Sequence, residues 1–506
     1  MALRLISKVF ERHRGINDLS EIKRIEDDHL FTCENWRFLP AAEGRVQLEM
    51  RTGYDEDTMN ANLTGGTQIQ GVNFTEYTGG EETIFAYNGK LYELAGTPTE
   101  LATGLTDAMY DFTMLSDTLI MANGSDVMKK KTFGGAIANL GGTPPVAKYV
   151  HQWHNFVFTA GTSGTLNRLR WSDLGAPETW PAGNVQDMPF EITGISSLGD
   201  VLYVFGKNKF KTVTGFTTST FVFGEGDDVG CISHYGIVSN GASLFWPAQD
   251  GIYALGNVGG TDAIVGGSSL TRLSTEKLRT FWDALNVSSI GQFHGIHDVK
   301  NHCVRWTVKR TAGTINDREL IFDYHERVLG FRTTTGINAS CYTNGKDSNG
   351  NFQVSFGESQ TDSNGGVIYK LDASKTDNDT TITATLETKA YDFDSPDIDK
   401  YFEGVKILAK GNDSESKLLV SFGVGDFPDY SNEKTITTSK LAVYDTAIYD
   451  VDIYGEDTFR NYGVGINLLG KSLAVKMVSN ENNKSIRVAG WTVQAQPFEP
   501  LPENQI

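Results

Sequence analysis

Residues 197–256 read SLGDVLYVFGKNKFKTVTGFTTSTFVFGEGDDVGCISHYGIVSNGASLFWPAQDGIYALG. Val201, Leu202, Tyr203, Val204 and Phe205 form a short run rich in β-branched and aromatic residues. Gly206-Lys207-Asn208 turns it, and residues 209–213 return. Residues 243–246 then run out, Gln249-Asp250-Gly251 turns, and residues 252–255 come back. Apolar runs of this length bounded by Gly, Asn and Asp are the signature of β-hairpins.

The same phrase recurs on both sides. Residues 83–87, Asn88-Gly89 and 90–94 give strand, turn and strand, and so do 118–122, Asn123-Gly124 and 127–129. Residues 155–159 with 169–171, 303–308 with 319–323, and 352–356 with 367–371 continue the series. The spacing is about 40–50 residues, the period of propeller blades. A small antiparallel sheet cannot bury its own faces, so several must close radially. The expectation is an all-β chain with a β-propeller over residues 71–380, of roughly six or seven blades. Asp, Thr, Ser and Lys replace apolar residues near 372–381, which marks a boundary. Beyond it, 386–393, 404–409, 417–422, 447–453, 463–468, 473–478 and 485–495 read as strands at sandwich spacing. Residues 381–506 are therefore expected to form a C-terminal β-sandwich-like domain. Residues 1–70 carry no blade phrase and read as an irregular N-terminal arm and attachment segment. Within them 6–25 has partly helical spacing, and 60–71 is polar and Gly-rich. One interruption, LSTEKLRTFWDAL at 273–285, predicts a helix with Ser274 and Thr275 near its N-cap.

Composition agrees. The 506 residues are 39% hydrophobic and 21% charged, which suits a globular chain. The 54 Gly, 19 Tyr and 28 Phe suit many turns and aromatic strands. A net charge of -19 excludes an ordinary phosphate-gripping nucleic-acid binder. Cys33, Cys231, Cys303 and Cys341 are far apart and predict reduced thiols rather than a disulfide framework. The opening MALRLISKVFERHRG has too short an apolar run for a signal peptide, and no apolar stretch is long enough to span a membrane. The expectation is synthesis and folding in a cytoplasm, with no membrane insertion.

Candidate chemistry is sparse. Ser172-Asp173-Leu174-Gly175 with Trp180 resembles a sialidase Asp-box but departs from its spacing and occurs once, so a loop with a Trp plug is the simpler reading. His294, His297 and His302 lie close in sequence, yet they fit two strands around a turn better than a zinc site. Asp347-Ser348-Asn349-Gly350 and Asp362-Ser363-Asn364-Gly365 look like calcium-loop fragments, but neither continues as an EF-hand loop and Asn-Gly turns explain them more simply. No P-loop, G-x-S-x-G or H-E-x-x-H is present. No catalytic residue, cofactor or metal is expected.

With those residues in hand, the chain resembles the tail nozzle, hub or tail accessory factor proteins of short-tailed bacteriophages. The similarity rests on Tyr87 to Tyr92, on Asp200 to Asn208, on 230–255, and on Arg170-Trp171-Ser172-Asp173 with Trp180. It covers most of the chain from about residue 71. The resemblance implies a non-enzymatic virion protein, assembled in the host cytoplasm, that forms a ring, usually a hexamer, under the portal and its head-to-tail adaptor. It implies a subunit that extends the DNA channel, lets viral duplex DNA pass without specific binding, and anchors fibres, spikes or a plug. An acidic wall suits such a channel. Asp392, Asp394, Asp397, Asp399, Asp426 and Asp429 are the candidate channel-lining residues, with a merely solvated outer rim as the equal alternative. The rival classes are a carbohydrate-active propeller enzyme and a cellular propeller scaffold.

Overall fold

The computed structural model describes residues 6–497 apart from 19–20, 42–44, 58–62, 64, 66, 96, 257–269, 275, 287–290, 292, 311–314, 326–327, 348, 360–365, 413–414, 426–427 and 439–458. Its first construction principle is the two-residue hairpin. Tyr87 pairs with Lys90 across Asn88 and Gly89, whose φ of 48° and 67° are those of a type I′ turn. Ser116-Asp117 and His154-Asn155 make the same left-handed turn without glycine.

Among the described residues, hairpins build seven four-stranded blades. Blade 1 is Ile69–Tyr77, Gly80–Tyr87, Lys90–Glu93 and Thr99–Ala102, and blade 2 runs from Asp111–Leu115 to Ala138–Asn139. Blade 3 runs from Tyr149–Trp153 to Val185–Asp187, and blade 4 from Gly194–Leu198 to Val222–Glu225. Blade 5 runs from Val238–Ser239 to Leu270–Arg272, and blade 6 is His294–Asp298, Cys303–Val308, Arg318–Asp323 and Gly330–Thr335. Blade 7 takes Ala339–Lys346, Phe352–Glu358 and Ile368–Ser374, and its outer strand is Gly53–Glu56. The first strand of blade 7 packs on the first strand of blade 1, closing the ring.

The core of the ring lies between blades, not within them. Ile84, Leu91, Leu119 and Met121 fill the wedge between blades 1 and 2, and Phe158, Trp171, Leu202 and Val204 that between blades 3 and 4. Phe205, Phe210, Leu244 and Trp246 fill the next. No blade has a second face of its own to bury against, so the wedges are what make the ring cooperative.

The second domain is a two-layer sandwich. One sheet orders Trp36–Pro40, Val46–Met50, Ile486–Pro497, Lys400–Gly411 and Arg460–Gly470, with Ile6–Phe10 also on Ile486–Pro497. The other orders Leu30–Glu34, Ala384–Thr388, Leu473–Ser479, Lys417–Val424 and Ser431–Thr437, and it is the continuation of blade 6. Leu30–Glu34 bridges the two, parallel to Gly330–Thr335 at Glu34 and antiparallel to Ala384–Thr388. One hydrophobic cluster therefore runs from Phe245 of blade 5 through Trp306 and Phe322 of blade 6 to Trp36, Phe402, Phe422, Met477 and Trp491 of the sandwich.

Three sequence expectations change. Residues 6–56 are not an arm beside the fold: their strands complete both domains, because their partners lie more than 300 residues away at Trp491, Thr388 and Leu371. The partly helical reading of 6–25 gives way to the strand Ile6–Phe10 and one 3-10 turn, Ile22–Arg24, since an edge of Ile486–Pro497 is open to pairing. The helix near 273–285 is present as Glu276–Leu278 in 3-10 form and Arg279–Asp283 in α form. Ser274 does not cap it, for its Oγ accepts the Ile252 N–H at 2.7 Å; Thr275 lies outside the described residues.

Candidate functional site

The first strands of the blades face the propeller axis, and polar aromatic side chains meet there. Asp111 on blade 2 accepts the His234 Nε2–H at 2.8 Å and the Val150 N–H at 2.7 Å on the same oxygen, Oδ2. His234 stands in the short turn His234–Gly236 before blade 5. Its ring lies 4.3 Å from that of Tyr149, and Tyr235 stacks on His294 of blade 6 at 6.0 Å. His294 continues to Tyr342 of blade 7, ring to ring at 5.9 Å, and its Nδ1 accepts the Tyr342 N–H. His151 of blade 3 faces Ser197 of blade 4, Nε2 to Oγ at 2.9 Å. Side chains from blades 2 to 7 thus fill the middle of the ring.

The electrostatics of this plug set two imidazoles, His151 and His294, near the Asp111 carboxylate. Burial lowers the His151 pKa to about 4, with His234 acting in the same direction and Asp111 opposing. Burial also lowers His294 to about 4, here opposed first by Asp111. The Tyr149 and Tyr235 phenols are pushed up by burial and by the same aspartate, so they stay protonated. A neutral His151 beside the Ser197 hydroxyl has the form of a base and a nucleophile. The third part of such a unit is missing, because the Asp111 carboxylate orients His234 and not His151.

The sequence candidates distribute as follows. Asp392, Asp394, Asp397 and Asp399 lie in the turn before Lys400–Gly411. Asp394, Asp397 and Asp399 are exposed, and Asp392 is half-buried and accepts the Asp394 N–H at 3.1 Å. The turn wraps a buried ammonium: Lys400 Nζ donates to the carbonyls of Ser395, Ile398 at 2.8 Å and Lys471 at 3.1 Å. Burial lowers the Lys400 pKa, and Asp392 and Asp399 oppose that shift. Part of the acidic run is therefore a cap for one lysine. Asp429 is exposed near Ser431–Thr437, and Asp426 lies outside the described residues.

The three clustered histidines disperse. His294 enters the axial plug, His297 bonds the Tyr324 hydroxyl, and His302 sits on the turn ahead of Cys303–Val308. No group of three His, Cys, Asp or Glu side chains fit to hold a metal occurs among the described residues. The Asp-box-like phrase is a plug, with Trp180 Nε1 bonded to the Pro177 carbonyl at 3.0 Å and its ring packed in the wedge between blades 2 and 3. Asp347 makes an Asx turn with Asn349 and Asn351, while residues 362–365 lie outside the described residues. All four cysteines are free and buried, and burial pushes the Cys33 and Cys231 thiols up to about 12. No helix among the described residues is long and apolar enough to cross a membrane.

Sequence reading missed the axial plug. His151 and His234 belong to different blades, 83 positions apart, and only the blade register brings them to one axis. The usable signal was position: Asp111, His151, Ser197 and His294 all fall in the first strand of a repeat.

No family model and no curated protein matches the chain. Among solved structures, it is similar to BamB from Moraxella catarrhalis, at 11% identity over 72% of this chain and 97% of that one, with a TM-score of 0.36. It is similar to the N-terminal domain of Nup159 at 9% identity, over 67% of this chain and 96% of that one, with a TM-score of 0.37. BBS1N, solved in complex with ARL6DN, is similar at 11% identity over 63% of this chain and 97% of that one, with a TM-score of 0.39.

Proposed function

We propose that the chain is a structural, non-enzymatic subunit of a bacteriophage tail, a nozzle or hub protein that assembles into a ring, a hexamer, beneath the portal and its adaptor. The observation that carries this reading is the sheet shared by blade 6 and the sandwich. It makes two large β domains into one stiff body with a common core, which is the property a load-bearing ring subunit needs. Two strands, Ser431–Thr437 and Arg460–Gly470, stand at the ends of their sheets among the described residues, where a neighbour could add.

On this reading DNA passes between subunits along the ring axis, not down the propeller, whose own axis is filled by Asp111, Tyr149, His234 and His294. The exposed Asp394, Asp397 and Asp399 face that shared lumen, where a negative wall repels the duplex and lets it slide. Fibres, spikes or a plug attach to the outer faces. The test is the mass of the purified chain by size exclusion with light scattering, alone and mixed with portal and adaptor. A ring of six copies, alone or on the adaptor, is expected. A monomer in every mixture defeats the reading.

A further inference from the structure

A cavity of about 210 Å³ lies where the two domains meet. Its wall takes Arg37 from the sandwich, Arg51 from the crossing segment, Lys300, His302, Arg305, His325 and Arg332 from blade 6, and Asp372 from the end of blade 7. We propose that this cavity is a binding site for one tetrahedral oxyanion of the phosphate class.

Hydrogen bonding at the wall is uneven. The two wall carboxylates among the described residues already hold a donor on each oxygen. Asp323 receives Arg332 on both oxygens, at 2.7 and 3.2 Å. Asp372 receives Thr52 on one oxygen and Asn301 on the other, at 2.8 Å. The donors are not used up. Arg305 Nε reaches Asp298 at 2.8 Å and Nη1 reaches Glu319 at 3.3 Å, but Nη2 has no acceptor among the described residues. Arg37 spends Nε and Nη2 on Glu49 and leaves Nη1 open. Lys300 and His302 are exposed and their side chains have no hydrogen bond among the described residues, and His325 Nδ1 is buried without a partner. Of these atoms only His325 Nδ1 is buried without a partner, and the arginines offer N–H groups in a fixed fork that matches an oxyanion. Among the described residues the wall therefore presents more open donors than carboxylates, and a tetrahedral oxyanion supplies several acceptors on one small body.

The turn residue His302, with φ 50°, and Asp372, with φ 55° beside a β-bulge, both line this cavity. Its size admits a free anion or a small phosphate monoester and excludes the backbone of duplex DNA, so the site is separate from any channel wall.

The test uses the full chain. Melting temperature is followed while inorganic phosphate, and separately sulfate, is raised to about 10 mM against sodium chloride of matched ionic strength. A concentration-dependent rise over chloride is expected, with one anion per chain by calorimetry. The paired variant Lys300→Ala, His302→Asn alters two exposed side chains and keeps a residue tolerant of positive φ. It is expected to melt like the parent in chloride and to bind phosphate at least about tenfold more weakly. No rise over matched chloride overturns the proposal. A rise that the paired variant leaves unchanged also overturns it, because the anion then binds elsewhere.

Discussion

The propeller blades and the joint that ties them to the sandwich are built by opposite means. In blades 1 to 5 each strand pairs with its neighbour in sequence, as Thr83 to Leu94 do across Asn88-Gly89. At the joint most partners are remote. Asn35, with φ 61°, sits at the centre: its Nδ2 donates to Thr335 Oγ1 at 2.7 Å and to the Thr383 carbonyl at 2.8 Å. Its Oδ1 accepts from Arg51 Nε at 2.8 Å and from the Thr335 N–H at 3.0 Å. Arg51 continues to both oxygens of Asp377, at 2.7 and 2.5 Å. Local hairpins make a ring that can form in pieces, and a remote knot decides whether the ring closes. Loop closure over such distances costs entropy that is recovered only when the last contacts form.

The largest effect follows from removing the first 56 residues. The truncated chain loses the outer strand of blade 7, which closes the ring with Gly53–Glu56, and four sandwich strands as well. It is expected to lose near-ultraviolet circular dichroism throughout and to aggregate. A soluble truncated chain with a native-like propeller spectrum would show that the blades stand without the joint.

A single side chain comes next. Arg51 and Asp377 are both buried, with 6% and 8% of their side-chain surface exposed. Arg51→Ala strands the Asp377 carboxylate and removes one of the two donors to Asn35 Oδ1. The expected loss is about 3–5 kcal/mol in a urea titration. The contrast is Lys211→Ala on blade 4, whose partner Glu225 is exposed, where no measurable change is expected. Equal losses in the two variants would erase the distinction between joint and blade.

That contrast also explains what could be read in advance. The blades were legible because Asn88-Gly89 and Gln249-Asp250 sit between alternating apolar runs, and the register follows from the turn. Strands in the C-terminal domain were legible too. The place of Leu30–Glu34 was not, for its sequence LFTCE names no partner, and its neighbours are Gly330–Thr335 and Ala384–Thr388. The seventh blade escaped a firm count for the same reason, since its fourth strand comes from Gly53–Glu56. The acidic run at 392–399 was visible, but the lysine it wraps was not, because Lys400 looks like any strand-leading cation until its burial is known.

Acid is the mildest way to sharpen the comparison, because histidines held below their usual range lie both at the sandwich, His13 and His29, and in the propeller, His151, His294 and His297. His13 stacks on Trp491 at 4.8 Å with Nε2 buried and unpartnered, and burial lowers its pKa to about 3. His151 and His294 are lowered to about 4. An unfolded histidine titrates near about 6.5. The folded state therefore holds fewer protons than the unfolded one between those limits. The stability from these groups is fully present above about pH 6.5 and is lost as pH falls toward 4 at the axis and toward 3 at His13. At pH 5 the loss from His13 alone is about 2 kcal/mol. His13→Phe keeps the stacking shape and removes the titrating nitrogen, so its urea midpoint is expected to fall less than the parent's between about pH 6.5 and pH 4. His151→Gln keeps a hydrogen-bonding group opposite Ser197 and is expected to flatten the same limb independently, since it titrates in the other domain. Domain-resolved hydrogen exchange at pH 5 then tells which region opens first in each variant. If both variants retain the parent's full slope, neither the axis nor the sandwich histidine is a source of acid sensitivity, and the two regions must share one that lies elsewhere.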